Sequence, residues 1–142
     1  MACPYFHAVK ARSQTDNSRT AMLPLGDAWE GTCGAVVDAA WEPDETRLLS
    51  LCNMGYARGC CPRFPADDGP DAVRFTIAAD DGQGLRLYYV LERDHHPLAH
   101  GPLIFSRADA SFVGTPTSEI AHRLGRAYVD SYLRRKAEAC KP

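Results

Sequence analysis

The sequence predicts an α+β fold: a small antiparallel sheet of three or four strands, a long C-terminal helix across it, and a cysteine-rich irregular N-terminal cap. Apolar and polar residues alternate over 73–79 and again over 85–91, which is the period of half-buried strands. Apolar residues take helical spacing from about residue 117 onward. Residues 1–34 follow neither period, and we expect them to be irregular.

Length and charge limit the possible domain organisation and partners of the protein. At 142 residues the chain predicts one domain, 1–142, with a cysteine-rich metal-binding part at 1–65 and a β-meander plus helix at 66–142. The net charge of −2 gives no overall attraction to nucleic acid. No apolar run approaches 18 residues, and the N-terminus lacks the apolar core of a signal peptide. We therefore expect a cytoplasmic protein with neither a membrane nor a nucleic acid as its partner.

The first regular element predicted is a helix over about 43–54. Pro43 suits a first helical turn, Leu48 and Cys52 share one face, and Gly55 suits the residue just past the helix end. Cys52 would then lie in the last turn. The preceding segment, 36–41, could be a short strand or the entry to this helix.

The meander and the long helix follow. The run Asp-Asp-Gly-Gln-Gly at 80–84 is a hairpin signal between the two alternating segments, and 103–106 could form a third strand. Thr117 and Ser118 suit a helix start, and helical spacing continues to about Ala139. An amphipathic helix of this length should cover the apolar face of the sheet.

The cysteines carry the functional signal. Residues 61–64 read Cys-Pro-Arg-Phe and residues 3–6 read Cys-Pro-Tyr-Phe, a repeat that packing alone does not require. In a reducing compartment, six cysteines favour metal or redox chemistry over disulfides. We interpret four of them as thiolates that converge on one metal centre: Cys3, Cys33, Cys52 and Cys61. Cys61 is preferred to Cys60 because it alone repeats the Cys-Pro-x-Phe context, and Cys140 is taken as a bystander.

The spacing of these cysteines favours an iron–sulfur cluster. Structural zinc sites usually pair their ligands as C-x2-4-C, and no such pair exists here. A cubane is bulkier and can take each sulfur from a separate loop. A proline after a ligand cysteine also occurs in bacterial ferredoxin runs. In these features residues 3–65 resemble iron–sulfur proteins in general. The resemblance implies a [4Fe–4S] cluster that transfers electrons to a redox partner protein or senses redox state.

Other interpretations remain open at this point. The same cysteines could hold zinc in an interaction module, or three of them could leave an open iron for catalysis. A thiol enzyme without metal is a third possibility, and Cys52 could be an ordinary core residue. The three histidines within 94–101 could also bind metal, although the plainer interpretation is a polar loop, and His7 could replace one thiolate.

Overall fold

The computed structural model describes residues 1–12, 23–36, 40–115 and 117–139 and confirms the α+β fold. Its antiparallel strands form two sheets, one of two strands in the order β1-β2 and one of four in the order β3-β4-β5-β6. The strands are β1 (Phe6–Ala11), β2 (Trp29–Cys33), β3 (Ala72–Asp80), β4 (Gly84–Arg93), β5 (His96–Ser106) and β6 (Ser111–Phe112). The helices are α1 (Glu45–Arg47), a π-helical turn (Leu48–Cys52) and α2 (Glu119–Ala139).

The four-stranded sheet is the predicted meander. Val73 and Phe75 of β3 are buried while the residues that follow each of them, Arg74 and Thr76, are exposed, so the alternating pattern separates the two faces. Strand β5 begins at His96, earlier than the predicted 103–106 strand, because β4 runs on to Arg93 and pairs with it. His95 therefore lies in the β4–β5 turn, and His96 and His100 lie in strand β5. The expectation that this whole segment is a polar loop was wrong.

Helix α2 connects the two sheets. It begins where predicted, with Ser118 Oγ accepting a hydrogen bond from Ala121 N at 3.2 Å. Its buried residue Leu124 lies in the core under the four-stranded sheet. Further along, Ser131 Oγ accepts from Trp29 Nε1 of β2 at 3.1 Å. No helix among the described residues is both long and apolar enough to cross a membrane.

The N-terminal region is irregular apart from β1 and β2, which the sequence did not predict. The helix predicted over 43–54 is shorter: α1 spans three residues, with Asp44 as its N-cap, and the chain then widens into the π-helical turn. Asn53 N donates to Leu48 O at 3.1 Å, a bond to the fifth residue back. Gly55 follows with φ +80°, and its N–H bonds Leu51 O at 2.7 Å, which confirms its predicted place past the helix end. Residues 37–39 of the predicted 36–41 element lie outside the described residues.

Candidate metal centre

One cavity in the N-terminal region is lined by all four of the cysteines that the sequence singled out. The structure places Cys3 just before β1, Cys33 at the end of β2, Cys52 at the end of the π-helical turn and Cys61 in the turns that follow. Cys60 is exposed and does not line this cavity. Cys140 lies outside the described residues.

Backbone hydrogen bonds bring these four segments together. Cys3 N donates to Cys52 O at 3.0 Å, which ties the start of the chain to the π-helical turn. Pairing of Phe6 with Cys33 places the end of β2 beside the start of β1. Cys61 N donates to Ala57 O at 2.7 Å in a tight turn that starts at the cavity wall. Each cysteine therefore reaches the cavity from a separate backbone segment.

Asn53 fixes the turn that carries Cys52. Its side chain is 1% exposed. Its Oδ1 accepts from Trp29 N at 2.9 Å, and its Nδ2 donates to Trp29 O at 3.0 Å and to Leu48 O at 2.8 Å. One buried amide thus joins β2 to both ends of the π-helical turn, which sets where Cys52 can lie relative to Cys33.

The protein environment opposes free thiolates in this cavity. Burial raises the pKa of Cys3 to about 11, with the negative charges of Cys33 and Cys61 adding to the rise. Hydrogen bonds from the backbone of Tyr5 and Phe6 act in the other direction and lower it. The pKa of Cys52 is raised to about 12. Burial is the largest cause, and the negative charges of the other three cysteines raise it further. Four thiolates here would repel one another strongly unless cations stood between them.

Aromatic side chains and two arginines complete the cavity wall. The aromatic residues in the lining are Tyr5, Phe6, Trp41 and Phe64. The guanidinium carbons of Arg63 and Arg47 lie 4.7 Å and 5.7 Å from the Trp41 ring centroid. This wall limits access of water and presents positive charge beside the cysteines.

A third arginine reaches the site from α2. Arg123 Nη2 donates to Pro4 O at 2.5 Å, next to Cys3. Its Nε atom is buried and has no hydrogen-bond partner among the described residues. Burial lowers the pKa of Arg123, while the negative charge of Cys3 raises it. A buried donor without a partner, on a side chain that bonds the residue after Cys3, calls for an acceptor that the described residues do not supply.

Sequence reasoning missed four residues around this site. Arg63 lies inside the Cys-Pro-Arg-Phe run, so its proximity could have been inferred from the motif. For Trp41 and Arg47 the sequence indicated only a nearby helix start and gave no reason to place them at the cavity. Arg123 is far from every cysteine in the sequence and gave no signal.

The histidines do not gather at this cavity. His95 lies in the β4–β5 turn and stacks on Tyr56, with ring centroids 4.2 Å apart, while His96 and His100 lie in β5. All three are exposed. His7 lies against Gly34 and does not line the cavity. Within the described ranges, no three His, Cys, Asp or Glu side chains stand close enough to hold one metal ion in common.

Comparison of the chain with protein-family models, with curated proteins and with solved structures found no match. Inferences about function therefore depend on the residues and geometry of this site.

Proposed function

We propose that this protein binds a [4Fe–4S] cluster through Cys3, Cys33, Cys52 and Cys61 and uses it for one-electron transfer or redox sensing. The observation that carries the proposal is the convergence of these four cysteines on one cavity while their neighbour Cys60 points elsewhere. Four thiolates can complete the coordination of a [4Fe–4S] cluster, one for each iron.

The residues present fit such a group in three respects. The donors are soft thiolates, which select iron–sulfur clusters, zinc or copper(I). Burial and mutual repulsion raise the pKa values of Cys3 and Cys52, and the positive charge of iron would offset both effects. The backbone groups of Tyr5 and Phe6 and the unsatisfied Nε of Arg123 offer hydrogen bonds to sulfur.

A cluster is preferred to a single zinc ion because of how the cysteines are arranged. Each comes from a separate segment, and no three potential ligands among the described residues lie at the close distances that one ion requires. The ligands of a cubane stand further apart, since each binds a different iron. A colourless protein that carries stoichiometric zinc would favour the interaction module instead.

When bound, the cluster would supply reversible uptake of one electron. The chain's contribution is to hold four sulfurs, to cover them with Trp41 and Phe64, and to place Arg47 and Arg63 near the anionic centre. The electron would come from, and return to, a one-electron redox protein, with no bond made or broken. With four cysteine ligands, every iron already has a protein ligand. This favours electron transfer or redox sensing over an enzyme with an open iron. The cytoplasm, where thiols stay reduced, is the compartment that suits it.

Serine variants of the cysteine pair test the ligand set. Cys61→Ser should lose most of its iron and sulfide, whereas Cys60→Ser should retain the wild-type content, because only Cys61 lines the cavity. Both proteins are reconstituted without oxygen and analysed for iron and acid-labile sulfide. Full content in Cys61→Ser with loss in Cys60→Ser would show that the other member of the pair is the ligand. Equal content in both would refute the four-cysteine site.

A further inference from the structure

Helix α2 contributes one cation to the region of the candidate centre, and that cation has no carboxylate partner. Arg123 forms no salt bridge within the described residues, unlike Arg126 one turn later, whose Nε bonds Asp130 Oδ1 at 3.2 Å. Glu119, the carboxylate that acts on Arg123 electrostatically, is itself exposed to solvent. The Arg123 side chain is half-buried, and its buried Nε–H is costly to leave without a hydrogen-bond acceptor.

The position of Arg123 indicates where that anion would lie. Its Nη2 is held by the carbonyl oxygen of Pro4, the residue after Cys3. The guanidinium is planar, so fixing one end limits where Nε can point. The Nε atom is buried without a partner, and the Pro4 carbonyl that holds Nη2 follows Cys3 directly in the chain. The missing acceptor is therefore expected on the Cys3 side of the cavity.

We propose that Arg123 donates its Nε–H to a sulfur of the centre at Cys3 and raises the centre's reduction potential. This inference rests on the cluster proposed above. The net charge of a cluster and the hydrogen bonds to its sulfurs are two of the factors that set its potential. Reduction adds one negative charge, so a nearby cation stabilises the reduced form more than the oxidised form. Arg123 is thus a tuning residue on α2, and it would couple the position of this helix to the potential.

Substitution of Arg123 by a neutral residue tests the sign of the effect. In Arg123→Gln the ratio of reduced to oxidised cluster at a fixed ambient potential should fall at least about tenfold, equivalent to about 59 mV for one electron. The ratio is measured by optical titration with redox mediators, starting from wild-type protein reconstituted without oxygen. Arg126→Gln is the matched control, because it removes the same charge from an exposed position on the same helix. Its ratio should equal that of the wild type.

A second variant separates the hydrogen bond from the charge. Arg123→Lys keeps the positive charge and loses Nε, so its potential should stay closer to the wild type than that of Arg123→Gln. With guanidino-¹⁵N arginine in the protein, the reduced wild type should show a ¹⁵N hyperfine coupling that disappears in Arg123→Lys, while any coupling from Arg47 or Arg63 stays the same in both proteins. This readout serves even if Arg123→Gln fails to fold, and a helix-packing role alone would not produce it.

The possible failures can be told apart. Potentials of Arg123→Gln and wild type that agree, or ¹⁵N couplings that are identical in Arg123→Lys and wild type, would overturn the role of Arg123 while leaving the cluster in place. A wild-type protein that takes up no iron under reconstitution would overturn the proposed function, and this inference with it.

Discussion

Replacing Asn53 by alanine should destabilise the N-terminal region strongly, because one buried side chain satisfies the backbone of two elements. Asn53 Oδ1 and Nδ2 bond the N–H and the carbonyl of Trp29 at 2.9 Å and 3.0 Å. Nδ2 also bonds Leu48 O at 2.8 Å, but that oxygen keeps a second donor in the backbone N–H of Asn53. The substitution therefore leaves the two backbone groups of Trp29 without these partners.

The expected magnitude follows from those two groups. Trp29 is 6% exposed, so water can replace the lost partners only poorly. Leaving a buried donor or acceptor unsatisfied costs roughly 1–3 kcal/mol each, which gives roughly 2–6 kcal/mol for Asn53→Ala. Such a loss is a large share of the about 5–15 kcal/mol that stabilises an ordinary domain. Cys52, the preceding residue, should also be held less firmly, so iron content should fall.

Urea unfolding of the reconstituted protein, kept without oxygen, measures this change as a shift in midpoint at constant slope. The matched control is Met54→Ala, because Met54 is the next residue and is 42% exposed. Its free energy of unfolding should change by less than about 0.5 kcal/mol. A change below about 1 kcal/mol in Asn53→Ala would refute the role assigned to this amide.

Two further predictions concern the remainder of the fold. Lys136, the Gly82 N–H and Tyr132 lower the pKa of Asp80 to about 2, so Asp80 contributes stability above its ordinary pKa near 3.8 that is lost as pH falls through about 2. Melting temperatures between pH 2 and 5 should therefore depend less on pH in Asp80→Asn than in the wild type, and equal pH dependence would contradict the assignment. Metal removal should reduce amide protection in hydrogen-exchange mass spectrometry mainly within 1–65, while 73–92 and 117–136 stay protected. Equal protection of 1–65 with and without metal would mean that the cysteines are ordinary core residues.

The sequence predicted the second half of the fold well because its signals there are local. Alternation at Val73 and Phe75 reflects the two faces of a sheet, and Ser118 begins the long helix by bonding within its own first turn. Neither feature needs knowledge of distant contacts. For the same reason the hairpin at 80–84 could be predicted from a few turn residues.

The first half was less predictable because distant contacts form it. Strands β1 and β2 pair across a long separation in sequence. Neither shows a clear alternating pattern, and β2 is interrupted by Gly31. The π-helical turn forms where the side chain of Asn53 joins Leu48 to Trp29, a contact that helical spacing does not encode. Here tertiary hydrogen bonds override local propensity.

The candidate site could also be predicted only in part. The repeated Cys-Pro-x-Phe context singled out Cys61, which the structure places in the cavity lining, whereas Cys60 is exposed. That the cysteines bind a cluster stays a prediction. Arg123 could not have been found, because only the packing of α2 against the start of the chain brings it to Pro4, the residue after Cys3. Motifs thus singled out cysteines that line one cavity and missed the residues that surround them.

The most direct test of the central claim is the metal content of the wild-type protein purified and reconstituted without oxygen. Four thiolates on one cubane predict a brown protein with about four iron and four sulfide per chain, and broad visible absorption that bleaches on reduction. A colourless protein that carries stoichiometric zinc, or that takes up no metal, would contradict the account.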